Sequence, residues 1–220
     1  MIKFLKIAKE TDILFKHYSQ QLPRLASKNS PQLVIVTKNQ SPKKIHELLI
    51  LGHLLFGENR IQEAISKWPT LKLSYTGIKL HMIGALQTNK VSQAVALFDV
   101  IESIDRFKLA SALQQEMIKQ NKTCELYVQV NIGLEPQKSG ISPLEVDQFI
   151  RACKHDLKLS IVGIMCIAPI NQPAFPFFAL LREIAKRNNL NKISMGMSQD
   201  YATAIEFGST ELRIGSSIFN

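Results

Sequence analysis

The sequence predicts a single-domain α/β fold, a (β/α)₈ TIM barrel preceded by a helical extension. Three observations carry this reading. From residue 33 onward, short β-branched or apolar runs alternate about eight times with segments of helical period. Several runs, such as Ile161 to Ile167, are nearly continuous in apolar residues, as parallel strands buried on both faces require. Shared among eight units, residues 33 to 219 allow about 23 residues each, enough for a strand, a helix and short loops. A chain of 220 residues leaves little room for a second full domain beside such a barrel. Residues 1–32 are therefore assigned to a helical extension packed on the barrel, and residues 33–220 to the barrel itself.

Each unit has its own signals. Leu33 to Thr37 reads as the first strand. Ser41-Pro42 then supplies an N-cap and a first-turn proline, Ile45, Leu48 and Leu49 share one helix face, and Gly52 closes that helix. Leu54 to Phe56 is a short second strand, followed by Gly57-Glu-Asn-Arg60 and a helix through Ile65. Leu80 to Ile83 and a helix from Gln87 repeat the pattern. Val100 to Ile104 is the fourth strand, and Asp105 caps a helix with Leu109, Leu113 and Met117 on one side. Glu125 to Val130 is the fifth. Ser142-Pro-Leu-Glu145 reads as a capping box opening a helix that carries Val146, Phe149, Ile150 and Cys153 at helical spacing, and Ser160 to Cys166 is the sixth strand. A helix over Phe177 to Lys186, the strand Lys192 to Ser194, a helix from Ser198 to Phe207 stopped by Gly208, and the strand Glu211 to Ile214 complete the series. An open dinucleotide-binding sheet would place G-x-G-x-x-G after the first strand, where Lys38-Asn-Gln-Ser41 stands instead.

Composition excludes several classes. Lys and Arg number 27 against 18 Asp and Glu, a net charge of +9, yet the basic residues are dispersed and the longest runs are the pairs Lys43-Lys44 and Lys186-Arg187. Without clustering or aromatic interleaving, a solvated basic surface that attracts anionic ligands is expected, and no nucleic-acid partner. No apolar stretch approaches the roughly 20 residues of a bilayer span, and the first ten residues lack the apolar run of a signal peptide, so no membrane partner and a cytoplasmic location are expected. Cys124, Cys153 and Cys166 show no metal-ligand spacing and read as buried thiols.

In a barrel the functional face lies at the carboxyl ends of the strands. Among the polar residues there, Ser194-Met-Gly-Met-Ser198 and Gly215-Ser-Ser217 follow the seventh and eighth strands, where glycines and hydroxyls commonly build a phosphate site, although plain turns use the same residues. The helix opening at Ser198 would add a favourable dipole. Lys38 follows the first strand. It is either a solvated strand-end charge or an amine that forms a Schiff base with an aldehyde. Arg213 is either half of an ion pair or a fixed donor aimed at a ligand atom. His81 and the other histidines form no metal triad by spacing, and no metal is expected.

Several motifs in order resemble the pyridoxal 5′-phosphate homeostasis protein family, single-domain relatives of the alanine-racemase barrel. They are Val36-Thr-Lys38, Phe56-Gly-Glu-Asn59, His81-Met-Ile-Gly84 with Leu86-Gln-Thr-Asn-Lys90, Ser103-Ile-Asp105, Val130-Asn-Ile132 with Lys138-Ser-Gly140, Gly163-Ile-Met165, Ser194-Met-Gly-Met-Ser198 and Arg213-Ile-Gly-Ser216. The resemblance implies pyridoxal 5′-phosphate (PLP) as cofactor, held as a Schiff base on Lys38. Asn59 and Met165 would lie near its ring, Arg213 would partner the pyridine nitrogen, and Ser198, Gly215 and Ser216 would bind the phosphate. It implies a regulator of PLP supply and amino-acid metabolism without established turnover. A monomeric carrier or buffer of PLP that also meets amino acids is expected, with PLP-dependent apo-enzymes as recipients. Ala85 stands where a histidine is common, Arg60 where a tyrosine is common and Asn220 where a glycine is usual; these departures touch the pocket rim.

The rival is a PLP-dependent amino-acid racemase or lyase. An arginine at the pyridine nitrogen leaves that nitrogen unprotonated, which weakens an electron sink. A racemase of this barrel type would also need a second acid/base, and no tyrosine stands in the strand-end segments.

Overall fold

The computed structural model describes residues 31–219, and the extension expected before the barrel lies, up to residue 30, outside the described residues. Eight strands, β1 (Gln32–Val36), β2 (Leu55–Glu58), β3 (Lys79–Met82), β4 (Val100–Ile104), β5 (Glu125–Val130), β6 (Ile161–Cys166), β7 (Lys192–Ser194) and β8 (Glu211–Ile214), are all parallel and close in sequence order. β8 pairs back onto β1, Arg213 beside Val34 and Ile214 beside Ile35. The expected (β/α)₈ barrel is the observed one. Gln32 already belongs to β1, so the barrel begins one residue before its expected boundary.

The helices are α1 (Pro42–Ile50), α2 (Ile61–Ser74), α3 (Val91–Leu97), α4 (Phe107–Lys119), α5 (Val146–His155), α6 (Phe175–Arg187), α7 (Tyr201–Glu206) and α8 (Ser216–Phe219). Strand residues such as Ile35, Phe56, Leu80 and Ile101 meet helix residues such as Leu48, Trp68, Val95 and Leu113 in one apolar layer between sheet and helices. Removing that much apolar surface from water is the main stabilisation of the fold, about 25 cal/mol per Å².

Local signals held at α1. Ser41 caps it, its hydroxyl accepting from the Lys44 amide at 3.4 Å, Pro42 opens it, and Gly52 ends it at φ +86°. Elsewhere tertiary burial overrode them. α2 runs on to Ser74 past Pro69, because Trp68 and Leu71 beyond the expected end at Ile65 are buried against the sheet. The capping box at Ser142 is not formed: the Ser142 hydroxyl accepts from Leu144, in a turn before α5, and Glu145 is the N-cap without a side-chain bond. Arg106, not Asp105, precedes α4. The stretch after β3 first makes a 3₁₀ turn, Thr88–Lys90, before α3. α7 begins only at Tyr201, so Ser198 lies in the loop before it and gains no helix dipole.

No helix among the described residues is long and apolar enough to cross a membrane. Cys153 and Cys166 are buried and Cys124 half-buried; burial pushes their thiols up, to about 11 for Cys124 and Cys153 and about 12 for Cys166.

Candidate functional site

A cavity of about 650 Å³ opens at the carboxyl ends of the strands, and Lys38, Asn59, Ser198, Arg213, Gly215 and Ser216 all line it. Five of these six come from the chain just beyond β1, β2, β7 and β8, and one, Arg213, from within a strand. Met165 is the exception. It is fully buried in β6 and stays out of the cavity wall, to which β6 contributes only through the loop from Ile167 onward. A strand residue paired on both sides is held within the sheet, whereas the loop beyond it turns over the mouth.

Lys38 lies in a turn one residue beyond Thr37 and is exposed. Thr37 is fully buried; its hydroxyl donates to Glu58 Oε1 at 2.6 Å and its carbonyl accepts from Lys67 Nζ at 2.8 Å. Among the described residues no hydrogen bond or ion pair engages the Lys38 ammonium. Asn59 follows β2, and its buried Oδ1 has no partner among them. Gly84 makes room for this segment: a Cβ there would stand 2.1 Å from the Asn59 carbonyl oxygen.

The other side of the mouth is made by the loops after β7 and β8. The Ser216 hydroxyl donates to that of Ser198 at 3.0 Å. Ser216 starts α8, whose first amides have no earlier carbonyl to bond, while Gly215 carries the chain against Val36, where a Cβ would meet the Val36 oxygen at 3.0 Å. Asp200 also lines the cavity, its Oδ1 accepting from the Met197 amide at 2.6 Å.

Arg213 is held from within the barrel. Its Nη1 donates to Ser194 Oγ at 2.6 Å and its Nη2 to the Cys166 carbonyl at 2.7 Å, and Nη1 stands 3.9 Å from Glu102 Oε2. Ser194 in turn donates to Glu102 Oε2 at 2.6 Å, and His81 Nδ1 meets Glu102 Oε1 at 2.7 Å. Burial pushes the Glu102 carboxyl up, but His81, the Arg213 charge and Ser194 together outweigh it and hold the group below the usual carboxylate range. Glu211 shows the opposite balance: burial, then the Glu102 charge, push it up, and it accepts the Tyr127 hydroxyl at 2.7 Å. Tyr127 is itself pushed up by burial and by Glu211. His81, Glu102 and Glu211 bring atoms of metal-ligand type within 4.8 Å of one another. Both Glu102 oxygens are already engaged, by His81 and Ser194, and the Arg213 guanidinium adjoins them, while Glu211 bonds Tyr127 separately.

Comparison with known proteins gives this geometry a family. The alanine racemase N-terminal domain model matches residues 15–220. The pyridoxal phosphate homeostasis protein of Aquifex aeolicus is 34% identical over 202 residues, 87% of each chain, and that of Pasteurella multocida is 32% identical over 214 residues, 93% of this chain and 91% of its own. The chain belongs to the pyridoxal phosphate homeostasis protein family. A solved family structure, PipY of Synechococcus elongatus with PLP bound, superposes with a TM-score of 0.79 at 32% identity, covering 92% of this chain and all of that one.

For this family member, sequence reasoning located the mouth of the cavity and missed what stands behind it. The sequence patterns do not single out Lys67, Glu102, Tyr127 or Glu211, and they name His81 only within the motif His81 to Gly84 and among histidines without metal-ligand spacing. A signal was present: Lys67 falls on the apolar stripe of α2 with Ile61, Ala64, Trp68 and Leu71, and Glu102 carries a charge in a strand that is buried at every position. A charged residue in a buried pattern needs a partner, and only the fold names it.

Proposed function

We propose that this chain binds PLP through Lys38 in the cytoplasm and holds it for buffering or delivery to PLP-dependent apo-enzymes, acting as a monomer in intracellular PLP homeostasis. One observation carries the reading: a lysine without a partner among the described residues, a hydroxyl pair with a glycine beside it, and a buried arginine share one cavity. The residues fit the group. Asn59 offers a buried acceptor without a partner among the described residues, and Gly84 and Gly215, which also line the cavity, let the chain pack closely against Asn59 and Val36.

When bound, PLP supplies an aldehyde carbon with which an uncharged amine condenses, releasing water. Lys38 would be the residue that condenses with it. Ser198, Ser216 and the main chain at Gly215 donate to the phosphate, a charge-assisted contact. Arg213, held in place by Ser194 and the Cys166 carbonyl, would present a fixed donor at the pyridine nitrogen. Asn59 borders the ring, and Met165 supports it from the sheet without lining the cavity. Lys38, Asp200 and Arg213 are the ionisable groups among the described residues lining the cavity, and one Asp200 oxygen accepts from the Met197 amide. That set supports holding over turnover, with amino acids able to compete with Lys38 for the aldehyde carbon.

The test is absorbance between about 330 and 430 nm before and after borohydride, with peptide mapping of the reduced protein. A reducible chromophore on the peptide containing Lys38, lost in Lys38→Ala with the fold intact, is the expected result. A chromophore that persists in Lys38→Ala would move the site to another lysine. Rapid exchange of an amino acid's α-proton with heavy water, dependent on Lys38, would restore the racemase or lyase reading.

A further inference from the structure

The turn that carries Lys38 is held by contacts that the PLP reading does not use. Lys67 of α2 is almost fully buried and reaches under this turn. Its Nζ donates to the Thr37 carbonyl at 2.8 Å and to the Gln40 carbonyl at 3.4 Å, one residue before Lys38 and two after it. The same ammonium lies 2.8 Å from Glu58 Oε1 and 2.7 Å from Glu63 Oε1. Glu63 adds a second grip, its Oε1 accepting the Asn39 amide at 2.6 Å. Asn39 sits at φ +59°, a left-handed conformation that a side chain other than glycine adopts at some cost, so the turn is specified against more relaxed alternatives. The Gln40 amide closes it on the Thr37 carbonyl at 3.1 Å.

We propose that Lys67, with Glu63, is a positioning residue: it fixes the main chain on both sides of Lys38 so that the Lys38 amine projects into the cavity at one height and direction. A buried lysine needs its desolvated charge matched, and here two carboxylates match it while two carbonyls take up its donors. The carbonyls it selects belong to the one turn that bears the free amine. Lys38 has a long flexible stem, so holding its backbone limits the volume its amine must search while leaving that amine free to react. The inference rests on the PLP reading for its purpose and on the clamp geometry for its existence.

The experiment compares wild type, Lys67→Met and Glu63→Ala, all folded by circular dichroism, with two probes: PLP, and 4-deoxypyridoxine 5′-phosphate, which carries the ring and phosphate but no aldehyde. The expected result is that Lys67→Met slows covalent capture of PLP about 10- to 100-fold, while its affinity for the aldehyde-free probe stays within about twofold. Glu63→Ala, which removes a partly exposed member and leaves the Lys67–Glu58 pair, is expected to slow capture about 3- to 10-fold, and decides the question if Lys67→Met does not fold. Equal loss for both probes would make Lys67 merely structural, and unchanged capture in Glu63→Ala and Lys67→Met would overturn the proposal. Hydrogen exchange at the Asn39 and Gln40 amides, measured without cofactor, reads the clamp directly: it should quicken in both variants, and equal protection in all three proteins overturns the clamp. A wild type whose two amides are protected but which forms no reducible adduct at Lys38 would refute the PLP reading and leave the clamp standing.

Discussion

On the β1–β2 side of the cavity, Lys67 and Glu63 grip the main chain around Lys38, whose ammonium has no partner among the described residues. On the β8 side, the network of Glu102, Ser194 and the Cys166 carbonyl reaches Arg213 through the guanidinium itself. Both devices are buried ionic hubs, but one fixes a backbone and the other a side chain. The difference follows from the work each residue is suited to. A nucleophilic amine must move as its bonds change, so only its attachment point can be held, whereas a permanent donor works best when its fork cannot turn. The two hubs also differ in depth: Glu102 and His81 sit inside the barrel, while Glu63 is about one fifth exposed.

That contrast is open to direct attack. Glu102→Ala strikes the deeper hub and should cost the most, about 3–5 kcal/mol, because it strands Arg213 beside an uncompensated cavity. Urea unfolding monitored by circular dichroism measures it, and a loss under about 1 kcal/mol would mean that Arg213 does not depend on Glu102. Next comes the phosphate side, which belongs to neither hub. Ser198→Ala combined with Ser216→Ala should lower the preference for PLP over unphosphorylated pyridoxal by about 2–3 kcal/mol while main-chain donors preserve some binding, and an unchanged preference would misplace the phosphate.

The shallower hub should respond less. Thr37→Val removes the hydroxyl that donates to Glu58 but leaves Lys67 and Trp68 on that carboxylate, so a loss of about 1.5 kcal/mol is expected in the same unfolding assay. A loss as large as that of Glu102→Ala would erase the distinction between the two hubs.

The smallest effect is in pH dependence. Burial pushes the Glu63 carboxyl up, but the Lys67 and Asn39 bonds and the neighbouring charges outweigh it and hold it below its ordinary 4.5. A carboxyl depressed in the folded state contributes stability that is present above 4.5 and lost as pH falls through the folded value. Glu63→Gln should therefore unfold at lower urea than wild type near pH 6, with the gap closing as pH falls below 4.5 and through the folded value. A gap that widens toward acid would reverse the assignment.

The outline of the cavity was legible in the sequence because its parts are strand-end residues, and strand ends follow from local patterns. Lys38 after Leu33 to Thr37, and Gly215-Ser216 after Glu211 to Ile214, could be placed by counting units around a barrel. Met165 could not. Its neighbour Gly163 is needed because a Cβ there would stand 2.3 Å from the Tyr127 ring, a contact between strands that no local pattern reports.

By itself the sequence determined the order of eight strands and their helices, the mouth at the carboxyl ends, and the residue types available there, since periodicity, caps and glycines act over a few residues. Only the closed barrel decided which charges meet. Ser194 bonds Glu102 across 92 positions and Tyr127 bonds Glu211 across 84, each between strands that are not neighbours in the sheet. Such bonds form through the interior, where closure brings opposite strands together and low dielectric forces every buried charge to find a partner. The same is true of Lys67, whose place on an apolar helix stripe made no local sense until α2 lay beneath the turn that carries Lys38.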